Sequence, residues 1–166
     1  MTDRRARSGR VLAAAALCVL AACGGSPVGQ EELAALSVAS RQPATMEAGG
    51  VRISASVAPT ASLSPAIAAR YGVAPDRATQ LLLVGLRQGP AHEETSVQAQ
   101  VSVRARDLRG VWQDVTMREV RSDGFVDYVG TARVAPPDTL ALEVSVQREG
   151  ADAPDVLRFS RDVFAR

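Results

Sequence analysis

His92, in the segment Gly89-Pro90-Ala91-His92-Glu93-Glu94-Thr95, is the one imidazole in the chain. Next to two carboxylates it could act as a general base or help to hold a divalent cation. One histidine beside two adjacent glutamates does not give a specific ligand spacing, however. In an extended strand Glu93 and Glu94 would also point to opposite faces. A solvated polar loop is the ordinary reading of such a segment. All 19 basic residues are arginine and none is lysine. That removes a Walker phosphate loop, a Schiff-base amine and a Ser-x-x-Lys nucleophile. No Gly-x-Ser-x-Gly elbow occurs either. Paired carboxylates of glycosidase type stay open, because their separation in space is not written in the sequence. A net charge of +1 leaves no electrostatic footprint for nucleic acid. The expectation is a protein without catalytic activity, cofactor or metal.

The two cysteines lie near the amino terminus, at positions 18 and 23. Four arginines (Arg4, Arg5, Arg7, Arg10) precede an apolar run from Val11 to Ala22, followed by Cys23. That run is too short for a bilayer crossing, which needs about 20 residues, but it suits the hydrophobic part of a secretory signal. Leu20-Ala21-Ala22-Cys23 resembles a bacterial lipobox. The resemblance implies cleavage between Ala22 and Cys23 and acylation of Cys23. Several acyl chains hold a protein durably on a membrane where one does not. Gly24, where such lipoproteins carry aspartate for inner-membrane retention, points to the periplasmic face of the outer membrane. Without residues 1–22, arginine falls from 19 to 15 and acidic residues from 18 to 17, a net charge of −2. Cys18 is lost with the signal and Cys23 carries lipid, so no disulfide is available and stability must come from an apolar core.

Residues 23–46 are rich in Gly, Ser, Pro and Ala and are expected to form a lipidated tether, reaching roughly 26 Å as a coil. Residues 47–166 form the domain. The dominant period there is two, the mark of strands with one wet face. It runs through Val51–Val57, Val97–Ala105, Leu140–Val146 and Leu157–Phe159. Leu81–Leu86 is apolar on both faces, as in a covered central strand, and Gly85 within it marks a bulge or a close approach. Asp123-Gly124 is a two-residue hairpin turn. It sets Glu119 opposite Tyr128 and Val115 opposite Ala132. The same register gathers Val115, Met117, Val126, Tyr128, Ala132 and Val134 on one face. Ser64 as cap, Pro65 at the first position and Gly72 as terminator predict one short helix. About seven strands and one helix predict an all-β fold, an immunoglobulin-like antiparallel β-sandwich. A small β-barrel is the alternative.

The stretch Leu63 to Val73, Asp107-Leu108-Arg109-Gly110, Met117-Arg118-Glu119-Val120 and Phe159 to Phe164 together resemble a bacterial family of small secreted or lipid-anchored proteins. The family is known as domain of unknown function 4426, and the resemblance covers roughly Glu47 to Arg166. It implies no reaction, cofactor or partner.

Candidate binding residues are Trp112, Tyr71, Arg104 and Arg118. A tryptophan after a turn more often closes the end of a core than anchors a partner, but Trp and Arg are also the residues that dominate binding hot spots. Arg52, Arg104, Arg106, Arg118 and Arg133 fall on exposed strand positions and could meet phosphate or carboxylate groups. The function expected is that of a lipid-anchored cell-envelope protein that binds or scaffolds a partner, with the membrane itself met through the anchor. The alternatives are a small hydrolase or metal-dependent activity at the His92 loop, and an assembly module that accepts a strand at an open sheet edge.

Overall fold

Alternation of apolar and polar side chains over most of the domain commits it to sheets that share one buried layer. The computed structural model describes residues 42–164. The strands are β1 (Ala44–Ala48), β2 (Val51–Pro59), β3 (Thr79–Gln88), β4 (Thr95–Ser96), β5 (Ala99–Arg106), β6 (Trp112–Val115), β7 (Arg118–Ser122), β8 (Phe125–Arg133), β9 (Asp138–Arg148) and β10 (Asp155–Val163). A 3₁₀ turn (Thr60–Ser62) and one helix, α1 (Pro65–Arg70), lie between β2 and β3. One sheet has the order β1-β2-β3-β8-β7, with β4 also paired to β3. The other has the order β10-β9-β5-β6. Every pairing is antiparallel. The two sheets do not join, so the fold is a sandwich and not a barrel. The described residues form ten strands where seven or so were expected, because β4 and β6 are too short to show a period and the alternating Ala44–Ala48 of β1 was assigned mostly to the tether.

The layer between the sheets contains Ile53, Leu82, Val84, Leu86, Val103, Tyr128, Leu140, Leu142, Val144 and Val146, all buried. At about 1.5–3 kcal/mol for each large side chain removed from water, this layer stands in for the missing disulfide. The apolar run of β3 is explained by its central place between β2 and β8. Leu81 and Val129 point away from the shared layer and are nevertheless buried. The segment between β2 and β3 lies over that outer face. It is tied there by the Arg118 guanidinium, which donates to the Tyr71 carbonyl, and by Arg70 against Asp123 at 3.5 Å. Helix α1 has the predicted ends: Ser64 Oγ accepts from the Ile67 N–H at 3.3 Å, and Gly72 has φ of 54°. Gly85 is a close approach and not a bulge, since a Cβ there would stand 3.2 Å from Asp127 Oδ1 and the pairing runs through it unbroken.

Two boundaries differ from the sequence reading. Strand pairing starts at Ala44, so the last three residues assigned to the tether belong to the domain. Arg161 Nη2 also donates to the Gln42 carbonyl at 2.6 Å, holding the incoming chain against β10. The signal peptide (1–22), Cys23 and the rest of the tether lie outside the described residues. In the second difference, the Asp123-Gly124 hairpin keeps its predicted register from Ser122↔Phe125 to Arg118↔Val129. Beyond Arg118 it stops. Val115 pairs with Val103 in the other sheet and not with Ala132, because the chain changes sheets at Thr116–Met117.

Gly130 permits that change. A Cβ at this position would stand 2.6 Å from both Met117 Sδ and Val115 Cγ1, and 2.9 Å from the Thr116 carbonyl oxygen. Side chains can swing aside but the carbonyl is backbone, so Gly130→Ala forces the crossing away from β8. The expected cost is about 1–3 kcal/mol of stability by chemical denaturation. Gly124→Ala, with open space at its Cβ but φ of 82°, separates dihedral strain from crowding. If Gly130→Ala is as stable as wild type, the crossing does not depend on this contact.

Candidate functional site

Trp112 begins β6, directly across from Arg106 of β5. The inward partners of this strand pair, Ala105 and Val103 with Val115, are buried. Parity therefore turns Trp112, Arg104 and Arg106 outward, onto the open face of the four-stranded sheet. Trp112 is 46 % exposed. It does not close the core, as the commoner role of such a tryptophan would have had it. Its ring instead lies under two guanidinium groups, with Arg104 at 4.8 Å and Arg106 at 5.1 Å from the ring centroid.

Strand register extends the cluster across the whole sheet. Arg158 of β10, Glu143 of β9, Arg104 of β5 and Asp114 of β6 occupy one transverse row. Glu143 Oε1 accepts from Arg104 Nη2 at 2.8 Å and Glu143 Oε2 accepts from Arg158 Nε at 2.7 Å. These two guanidinium groups hold the Glu143 carboxyl below its ordinary pKa, and Glu143 in turn raises that of Arg104. Glu143 is thereby fixed as an anion and makes a poor proton donor near neutrality. On one side of the row, Ala141 and Ser160 form the floor of a depression of about 410 Å³ walled by Trp112, Arg106 and Arg158. On the other, Ser102, Asp114 and Ser145 line a second depression of similar size. Arg106 has no ion-pair partner among the described residues. Its guanidinium is oriented by the Trp112 ring, and its N–H groups can still meet a carboxylate or phosphate.

The β5–β6 turn that carries Trp112 is built around Asp107. Its side chain is buried, and Asp107 Oδ1 accepts from the Val111 N–H at 2.9 Å. Asp107 Oδ2 accepts from Arg109 Nε and Nη2 at 3.0 and 2.8 Å. The Leu108 N–H is held by Asp138 Oδ1 at 2.9 Å. Gln113 exchanges two hydrogen bonds with the backbone of Arg133, tying the base of the turn to β8.

The four candidate residues named from the sequence fall in two places. Trp112 and Arg104 meet on the outer face of the four-stranded sheet. Tyr71 and Arg118 meet on the outer face of the other sheet, where Arg118 caps the helix end and so serves the fold. Glu143 and Arg158 were missed. Each is only a polar position in an alternating strand until the β9–β10 register is known. His92 is exposed in the loop after β3, and the Glu94 carboxylate next to it is taken by Arg52. Among the described residues no group of three or more potential metal-binding side chains occurs. Of the sheet edges, β6 is four residues long and β1 and β7 are five, and β10 turns Arg158, Ser160 and Asp162 outward. Short length and outward charge are the usual means of discouraging further strand addition.

Fold and face together define an antiparallel β-sandwich with an arginine–tryptophan outer surface. The chain belongs to the family described as domain of unknown function (DUF4426), whose pattern matches residues 45–166. The crystal structure of a DUF4426 family protein from Pseudomonas aeruginosa PAO1 is similar in fold. It shows a TM-score of 0.63 and 19 % sequence identity, covering 75 % of this chain and 96 % of that one. No curated protein matches the chain.

Two bonds, from the Val111 N–H first and Arg109 second, hold the Asp107 pKa below its ordinary value. A carboxyl lowered on folding adds stability in full above its unfolded value, about 3.9, and loses it as pH falls through the lower folded value. The turn should therefore be indifferent to pH between about 5 and 8 and loosen only in stronger acid. Protection of the Val111 amide, its exchange rate taken against the intrinsic rate at the same pH, should fall below about pH 4 in wild type. In Asp107→Asn, which keeps an acceptor but cannot titrate, that acid dependence should vanish.

Proposed function

We propose that the protein is a lipid-anchored binding module of the bacterial cell envelope, without catalytic activity. Its recognition face is the outer surface of the four-stranded sheet. The observation that carries this reading is Arg106: a guanidinium stacked on an exposed tryptophan, free of any carboxylate among the described residues, at the edge of an open depression. Such a group is oriented for an anion before the anion arrives. Its neighbours Arg104 and Arg158 are both engaged by Glu143, and with Asp114 beside Arg104 their row holds two cations and two anions, so they shape the site more than they charge it. The partner this chemistry fits carries a carboxylate or phosphate next to an apolar or planar surface that can lie against Trp112.

The envelope location rests on the sequence. The basic stretch, the apolar run from Val11 to Ala22 and Leu20-Ala21-Ala22-Cys23 stand in the order a lipoprotein signal requires. Gly24 in place of aspartate favours the outer membrane.

Cys23→Ser should abolish palmitate labelling and leave an unprocessed precursor on gels; a processed, labelled mutant would refute the anchor. For the face, a photo-crosslinking residue in place of Ser160 should give a reproducible envelope adduct. Arg106→Glu should weaken that adduct roughly tenfold or more, equivalent to about 1.4 kcal/mol. Equal adducts with and without Arg106 would remove the face from the reading.

A further inference from the structure

Four large apolar side chains are exposed among the described residues: Leu108 at 71 %, Val111 at 56 %, Trp112 at 46 % and Phe164 at 64 %. They share one end of the sandwich. Leu108 and Val111 form the tip of the β5–β6 turn, and Trp112 stands at its base. Phe164 directly follows Val163, which pairs with Asp138, and Asp138 Oδ1 is the acceptor for the Leu108 N–H. Scattered exposed apolar residues are ordinary on a protein surface; their confinement to one end is not. Nor is this end loose. The bonds to Asp107 and Asp138 fix the turn with Leu108 and Val111 held out in water.

The chain arrives at the same end. Gln42 is bound through its carbonyl to Arg161, and Arg161 pairs with Leu140, two residues along β9 from Asp138. The level of Arg161 along the strands is the level of Asp107, because Ala141 pairs with both Ser160 and Arg106. Adjacent strands are about 4.8 Å apart, so the incoming chain and the apolar tip are separated by little more than the width of this sheet. Residues 24–41 lie between Gln42 and Cys23. Fully extended they reach roughly 60 Å, enough to let an anchored domain meet the bilayer with any part of its surface. The anchor alone sets distance and leaves orientation open.

We infer that this end of the sandwich docks on the phospholipid bilayer. Leu108, Val111 and Phe164 enter the headgroup–acyl boundary, and Trp112 sits at its level. This rests on the lipid-anchor reading above and adds to it an orientation. Tryptophan favours the interface because its ring is apolar and its N–H is polar. Arg109, held by Asp107 at the tip, keeps its outer N–H groups available to phosphate oxygens. With the tip down, the strands of the four-stranded sheet stand up from the membrane. Its outer face, with Arg106 nearest the surface, then opens sideways.

Trp112 is the one tryptophan in the chain and therefore its own reporter. The test uses the mature acylated protein in vesicles of phosphatidylethanolamine and phosphatidylglycerol. Flotation reads the anchor and Trp112 emission reads the tip. The expected result is flotation with emission shifted to shorter wavelength. Bromine on the acyl chains should quench it most strongly when placed roughly 5–10 Å below the headgroups. In the double variant Leu108→Ser, Val111→Ser the protein should still float and keep the wild-type melting temperature, while its emission returns to the water value. Flotation with unshifted wild-type emission would overturn the docking and leave the anchor standing. Failure to float would overturn the anchor, and the docking with it. An emission shift that follows protein concentration without vesicles would assign the tip to a second copy of the chain and overturn the docking. A wild-type shift retained in the double variant would overturn it equally.

Discussion

The close passage of Thr116–Met117 over Gly130 is the contact on which the rest of the domain depends. At that point the chain leaves the four-stranded sheet and joins the other, and the two sheets are laced together along one side. The opposite side is closed differently, by β1 and β10, with Arg161 reaching across to the Gln42 carbonyl. One side is covalent and tight, the other is made of side chains. The tight side also decides where Trp112 stands. If the β7–β8 hairpin continued in register, Val115 would pair with Ala132 and Trp112 would be carried onward along the larger sheet. Because the hairpin ends at Gly130, the preceding residues pair with β5 instead, and the tryptophan arrives beside Arg104 and Arg106.

The outer face is held from beneath. Leu140, Leu142, Val144 and Val146 of β9 are buried, and each outward residue between them is fixed by its two inward neighbours. Glu143 therefore cannot move toward or away from the sheet. Its two oxygens are spread between Arg104 and Arg158, one strand to either side. The strand fixes the backbone of Glu143, and holding its side chain between the two guanidinium groups still costs rotamer freedom. The pairs are solvent-exposed and each is worth little for stability. Their effect is geometric: they divide the face into two depressions and leave Arg106 as its unneutralised cation.

How far the sequence carried this reading depended on the kind of information each residue holds. Period two told inside from outside for every long strand except β3, which is apolar on both faces, and the glycine and aspartate at 123–124 supplied the turn and its register. Ser64, Pro65 and Gly72 marked the helix at both ends. Alternation is silent about which sheet a strand joins, since both sheets face one core. Val115 and Met117 were correctly read as inward while Val115 was given the wrong partner. The signal that could have corrected this was Gly130, a glycine in the middle of a strand whose neighbours are valine and threonine. The functional face suffered from the same silence. Arg104 and Trp112 could be chosen by residue type, but Glu143 and Arg158 become neighbours only through the register of three strands. The turn at Arg109-Gly110 was visible before Trp112, whereas the outward aim of Leu108 and Val111 on either side of it depends on hydrogen bonds to Asp107 and Asp138.

The absence of lysine has a structural counterpart in how the arginines are used. Arg87 lies 4.6 Å from the centroid of the Phe125 ring while it pairs with Asp127 and donates to the Val126 carbonyl. Arg104 lies over Trp112 while it pairs with Glu143. Arg161 lies over Phe159 at 4.8 Å while it holds the Gln42 carbonyl, and its partial burial lowers its pKa without bringing it near neutrality. In each case the guanidinium lies over an aromatic ring while its N–H groups donate hydrogen bonds. An ammonium group has no flat face and would have to give up one contact to make the other. These three arginines are wedges between apolar and polar surface. Arg106 has the same stacked face on Trp112 and, among the described residues, no carboxylate at its edge. It is the wedge whose second surface has been left for something outside the domain.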